Sequence, residues 1–157
     1  MIGAPKDDIY FMQIALAEAK KAAAKDEVPV GCIIVDKEQQ IVGRAFNQVE
    51  TLSDATAHAE MIALTQAMAA KGTKWLNGCS VYVTIEPCLM CSGAFVLARV
   101  DRVIYGAPEP KTGALESVMN ISQLPLNHTF AVTRRVLEAE CAFAIQEFFK
   151  RKRQTQN

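Results

Sequence analysis

The chain has no long apolar run. No stretch of its 157 residues reaches the roughly 18 apolar positions of a membrane-crossing helix, and Met1-Ile2-Gly3-Ala4-Pro5-Lys6-Asp7-Asp8 lacks the basic opening and apolar stretch of a signal peptide. A cytoplasmic protein with no membrane partner is expected. Net charge is absent as well, since 17 basic residues balance 17 acidic ones. That excludes a long electrostatic groove for nucleic acid and confines any such contact to local patches. Five cysteines, an odd count, argue against a disulfide framework. Cys32, Cys79 and Cys141 stand in apolar or turn contexts and read as small core residues. With no internal repeat and no low-complexity segment, residues 1–157 read as one domain, long enough for a substantial core. Histidine is scarce: there are two, and only His58 falls in the first four-fifths of the chain.

What is present is an alternation of strand and helix patterns. From Asp7 to Lys25, Ile9, Met12, Leu16, Ala19 and Ala23 recur near helical spacing, with acids at the start and lysines at the end, as the helix dipole favours. Asp7 and Asp8 read as solvated helix ends. Val28 to Val35 is a continuous apolar run, the pattern of a strand buried on both faces, and Asp36 to Gln40 turns it into a hairpin partner, Ile41 to Phe46. After a loop from Asn47 to Asp54, the spacing predicts a helix from about Thr56 to Ala70, stopped by Gly72. Ser80 to Ile85 is a third strand, Cys88 to Ala98 its helix, and Arg102 to Gly106 a fourth strand. A short helical piece is expected at Leu115 to Ile121, a fifth strand at His128 to Thr133, and a long helix from Arg134. Together these predict an α/β protein of three layers, a five-stranded mixed sheet with helices on both faces, largely parallel beyond the antiparallel hairpin. His128 reads as a hydrogen-bonded structural residue. Lys150 to Arg153 suit a helix C-terminus by charge, or form a phosphate-binding tail over about 150–157.

The chemistry concentrates at two junctions. Thr84-Ile85-Glu86-Pro87-Cys88-Leu89-Met90-Cys91 ends a strand at a proline and starts a helix with two thiols at i and i+3, on one helical face. At a helix N-terminus the unpaired N–H groups and the dipole favour thiolate, the form that binds metal. Upstream, Thr56-Ala57-His58-Ala59-Glu60 supplies an imidazole and a carboxylate. His58, Cys88 and Cys91 make three zinc ligands, and a catalytic zinc keeps its fourth position for water. The competing readings are a thioredoxin-like redox pair and a purely structural site; Pro87, which precedes the first cysteine, and the Leu89-Met90 pair between the thiols disfavour the first. His58 and Glu60 are two apart and cannot share one helix wall, but they can converge beyond the N-terminal end. The site is therefore expected between two helix N-termini, fed by adjacent strands.

The combination resembles the zinc-dependent nucleobase deaminases, and within them the bacterial tRNA-specific adenosine deaminases. The resemblance runs from about Ile9 to Arg153 and includes Glu27-Val28-Pro29-Val30-Gly31, Val103-Ile104-Tyr105-Gly106-Ala107, Lys111-Thr112-Gly113, Asn127-His128 and Phe148-Phe149. The sequence departs from the usual pattern at Ala55, Glu109 and Glu116. The resemblance implies a cytidine-deaminase-like fold and a homodimer with one Zn2+ per chain, converting the wobble adenosine of a tRNA anticodon stem-loop to inosine. It also implies that His58, Cys88 and Cys91 bind zinc and that Glu60 shuttles protons. Asn47 would read the base, Val30 and Ile85 would wall its pocket, and Glu109, Lys111, Phe148 and Arg151 would meet the RNA. Read without the resemblance, Asn47 is a turn residue ending a strand and Phe148 and Phe149 are core positions of a helix. The alternatives are a deaminase of a free base or nucleoside, favoured by the neutral charge, and a catalytically idle zinc-stabilised RNA-binding module, against which Glu60 speaks. Apolar residues near Met90, Phe95 and Met119 offer surface for a dimer.

Overall fold

The computed structural model describes residues 5–156. The chain forms α1 (Asp8–Ala24), β1 (Gly31–Val35), β2 (Ile41–Phe46), a single-turn α2 (Val49–Leu52), α3 (Ala59–Lys71), β3 (Ser80–Ile85), α4 (Leu89–Ala98), β4 (Arg102–Ala107), β5 (Ala131–Thr133) and α5 (Glu138–Thr155). Local chemistry sets several of these boundaries. Asp7 caps α1, its carboxylate accepting the Tyr10 amide at 2.9 Å. Asp36 accepts the amides of Glu38 and Gln40 and so closes the hairpin turn. Gly72 ends α3 in the left-handed conformation, φ 66°.

The strands lie in the order β2-β1-β3-β4-β5. β1 is antiparallel to both neighbours, whereas β3–β4 and β4–β5 are parallel. The sheet is mixed and carries helices on both faces, as expected, but it is less parallel than the alternation of elements suggests. The reason is the path of α3, which carries the chain from β2 over β1 to β3. For the same reason the strands that feed α3 and α4, β2 and β3, are separated by β1, contrary to the expectation that they adjoin.

Side chains alternate across the sheet with period two. Ile33, Val35, Tyr82 and Ile104 pack with Phe11, Met12, Ala15 and Leu16 of α1 and with Cys141 of α5. Cys32, Ile34, Val81, Val83 and Val103 face the other way, onto Ala63, Leu64 and Ala67 of α3 and Phe95 of α4. Each large aliphatic side chain buried in these layers contributes about 1.5–3 kcal/mol. The alanines of α1 and α3 allow close approach; a Cβ on Gly31 would run into the backbone of α1 at Ala15 and Ala19.

Several expected elements shift. Residues 28–30 precede the strand and form a tight turn, with the Val30 amide on the Val28 carbonyl at 2.8 Å. The helical piece at Leu115 to Ile121 is absent. Its place is taken by a bridge between Leu115 and Asn120 and a short 3-10 turn, Ile121–Gln123, because the amides of Leu115, Glu116 and Ser117 converge on one buried carboxylate, Glu86. β5 is three residues long. The last helix begins at Glu138 rather than Arg134, since Arg135 and Leu137 take left-handed conformations (φ 65° and 54°) and the Val136 amide bonds to the Tyr105 carbonyl. It runs on to Thr155, so Lys150 to Arg153 are helical and no loose tail starts at 150; Asn157 and residues 1–4 lie outside the described residues. Asp8 is no solvated end: its carboxylate holds Arg102 and accepts the Tyr82 hydroxyl at 2.8 Å. Phe95, expected at a surface, is fully buried.

Candidate active site

α3 and α4 direct their N-termini to the same edge of the sheet. His58 is the cap residue of α3, with an extended backbone (φ −70°, ψ 148°), and Glu60 is the second residue of that helix. The helix thus starts three residues later than the sequence pattern predicts. This resolves the angular conflict between the two side chains, since only Glu60 belongs to the helix. Cys88 caps α4 in the same extended manner, and Cys91 follows in its first turn.

The three candidate ligand atoms lie within 4.8 Å of one another. His58 Nδ1 is 3.7 Å from Cys88 Sγ and 3.5 Å from Cys91 Sγ. A tetrahedral zinc with Zn–S of about 2.3 Å and Zn–N of about 2.0 Å requires S···N edges of roughly 3.5 Å. The residues therefore fit zinc in type and in spacing. Electrostatics agree. The Cys91 thiol, donating to the Cys88 sulfur, brings Cys88 down to about 4, with His58 assisting against burial. Cys91 is pushed up by that same contact and by burial. His58 is raised through its contact with Cys88. Three donors this close share protons with one another, and a divalent cation among them would displace those protons.

Glu60 is buried beside this cluster, and burial raises its carboxyl above the ordinary range. The cluster opens on a cavity of about 260 Å³ lined by Glu27, Val28, Val30, Asn47, His58, Glu60, Ile85, Cys88, Glu109 and Thr112. Val30, Asn47, Ile85 and Glu109 thus stand round the cavity, and Cys91 lies behind it. Asn47 is nearly buried, its amide bonded to the Val30 carbonyl at 3.0 Å, so the two residues hold each other at the rim. The remaining substrate residues separate. Lys111 lines a shallow depression with Phe149 and Arg153. Phe148 is buried, 4 % exposed, whereas Phe149 is 43 % exposed. Arg151 faces a different groove, beside Leu16, Pro29 and Phe143.

Two carboxylates that sequence patterns do not single out hold the walls. Glu86, 1 % exposed, accepts the amides of Glu109, Leu115, Glu116 and Ser117 and the Ser117 hydroxyl. Burial alone would raise its pKa, but these donors prevail and hold it below the ordinary value. Gly113 packs so closely on this carboxylate that a Cβ there would strike it. Glu27 accepts the amides of Glu50 and Thr51 and the Thr51 hydroxyl, and so caps α2. The hint in the sequence is a charged residue embedded in apolar strand ends, since charges are buried only when bonded.

Comparison with known proteins agrees with this geometry. Residues 5–107 match the model of the cytidine and deoxycytidylate deaminase zinc-binding region. A tRNA-specific adenosine deaminase of Aquifex aeolicus is 50% identical over 92% of this chain and 95% of its own length. One from Bacillus subtilis is 44% identical over 92% of this chain and 89% of its own length. A structure solved in a study of A-to-I editing by tRNA deaminases at the wobble position superposes with a TM-score of 0.83 at 40% identity, covering 86% of this chain and 98% of that one. The chain belongs to the cytidine and deoxycytidylate deaminase zinc-binding family and is a zinc-dependent deaminase.

Proposed function

We propose that this protein hydrolytically deaminates the wobble adenosine of a tRNA anticodon loop to inosine, as a cytoplasmic homodimer with one zinc per chain. The observation that carries the reading is that His58, Glu60 and Cys88 line a cavity with Cys91 beside them, and that the cavity's rim continues, through Glu109 and Thr112, to Lys111, which lines a depression with Phe149 and Arg153. Zinc held by the three ligands supplies the Lewis acidity that makes water a nucleophile at neutral pH. Glu60 takes one proton of the attacking water and delivers it to purine N1, then takes the remaining proton of the C6 hydroxyl and passes it to the amine as the C6–N bond breaks, so that adenosine and water give inosine and ammonia. A carboxyl raised by burial can hold as well as accept that proton. Asn47 offers a donor and an acceptor to the base edge, and Val30 and Ile85 contribute apolar walls.

RNA rather than a free base is supported by what surrounds the cavity. A target base must be turned out of its stack, which costs least in a single-stranded loop. The exposed ring of Phe149, flanked by Lys111 and Arg153, offers a stacking surface and two cations for the flanking strand. The structure favours Phe149 and Arg153 over Phe148 and Arg151 for this role, because Phe148 is in the core and Arg151 faces another groove. The test is inosine formation in an anticodon stem-loop. Deamination of the stem-loop far faster than of free adenosine, and weakening as salt rises, is expected. Equal turnover of adenosine, cytosine or guanine without salt dependence would reject it.

A further inference from the structure

The loop from Glu109 to Ser117 is held by two carboxylates, and the site described above uses only one of them. Glu86 grips it from inside. The second is its own residue Glu116, whose side chain turns away from the cavity. Glu116 accepts the Tyr105 hydroxyl, and its Oε2 lies 3.3 Å from Arg135 and 3.9 Å from Arg134. Arg134 also donates to the Leu115 carbonyl at 3.0 Å, and Arg135 donates to Glu138, in the first turn of α5, at 2.8 Å. The loop is thereby tied to the end of β4 and to the root of α5. The Glu116 side chain is 23% exposed while Arg134 and Arg135 are 37% and 48% exposed, so each ion pair alone is weak and the link rests on the Tyr105 hydroxyl, the two arginines and the Leu115 carbonyl acting together. Both tied elements reach the surface beside the cavity. The loop carries Glu109, Lys111 and Thr112, and α5 carries Phe149 and Arg153, which meet Lys111 in one depression.

We propose that Glu116 is a positioning residue that locks the Glu109–Gly113 loop to α5 and sets the spacing between the cavity rim and the flanking-strand surface. The inference rests on the RNA reading of that surface. Glu116 touches neither the metal ligands nor Glu60 among the contacts above, so its effect falls on substrate binding and leaves the chemical step alone.

The test is Glu116→Gln, which keeps an acceptor for Tyr105 and removes the charge that holds the arginines. Backbone hydrogen exchange is followed at Lys111 and Gly113, and steady-state kinetics are measured on an anticodon stem-loop. Exchange at both amides should rise about tenfold. KM should rise about five- to tenfold, with kcat within about twofold and zinc content unchanged. Glu116→Asp, which keeps the charge, should recover most of the KM. The double variant Glu116→Gln/Arg135→Gln should show a KM no higher than the single one, because the two residues act through one link. Unchanged exchange in Glu116→Gln overturns the positioning role whatever the substrate, and so does a loss confined to kcat. Raised exchange in an enzyme whose wild type ignores the stem-loop supports the lock and rejects the RNA reading instead.

Discussion

Glu60 and Glu27 are both buried carboxylates, yet they titrate in opposite directions. Burial raises both; only Glu27 collects enough donors, from the Thr51 hydroxyl and the Thr51 and Glu50 amides, to reverse the sign. The poorly bonded one is suited to proton transfer and the saturated one to scaffolding. Replacing Glu60 with Gln should leave zinc content normal and lower the deamination rate of a stem-loop by at least about 10³, since acid–base contributions run from 10² to 10⁴ and this group serves several proton transfers. Retention of a tenth of the activity would assign those protons elsewhere. For Glu27 the folded pKa lies below the ordinary value of 4.5. Its contribution to stability is therefore complete above about pH 4.5 and is lost as pH falls through the depressed folded value. Thermal midpoints of wild type and Glu27→Gln should differ most near pH 7 and draw together in acid. A gap that stays constant down to pH 3 would contradict this. Residue types were legible in the sequence where they are rare, as with His58 and the Cys88/Cys91 pair. Glu27 and Glu86 were legible only as charges beside apolar strand ends; their roles were not, because the amides they bind come from segments more than twenty residues away.

At the scale of elements, α5 separates two adjacent phenylalanines that look equivalent in sequence. Phe148 points into the fold and Phe149 out of it. Phe148→Ala should cost about 3–5 kcal/mol in denaturant unfolding, as for other buried aromatics. Phe149→Ala should change stability by no more than about 0.5 kcal/mol while raising the KM for a stem-loop several-fold. The reverse pattern would return Phe148 to the substrate surface. Apart from the Leu115 segment and the single turn α2, which lies in a stretch read as a loop, strand and helix identities followed from apolar periodicity, which reports which face is covered. Boundaries did not. α3 starts late because His58 is its cap, α5 because Arg135 and Leu137 are left-handed, and the Leu115 segment is no helix because Glu86 draws its amides. Each exception depends on a contact with a distant part of the chain.

For the whole molecule the relevant surface is the outer face of α3 and α4. Trp75, Leu97 and Leu126 are exposed there around an apolar groove that also includes Met61, Leu64 and Met68. Lys74 and Arg99 lie over the Trp75 ring. A second copy covering this face would account for the apolar surface. Sedimentation at micromolar concentration should give twice the 17.2 kDa of the chain, and Leu97→Asp should shift it toward the monomer. A wild type at 17.2 kDa would contradict the dimer.

The sequence by itself determined the chemistry: which side chains could bind zinc, that a carboxylate accompanied them, and that both motifs opened helices. Those are properties of residue type and short spacing, which need no partner to be recognised. Only the tertiary structure decided how the motifs meet. His58 and Cys88 are thirty residues apart, and their 3.7 Å separation exists because the α3 crossover passes over β1 and sets two helix ends at one edge of the sheet. Which of two neighbouring aromatics faces solvent, and which carboxylates are saturated, were decided there too. Exposure and hydrogen bonding depend on what the rest of the chain places alongside, and local sequence carries no record of it.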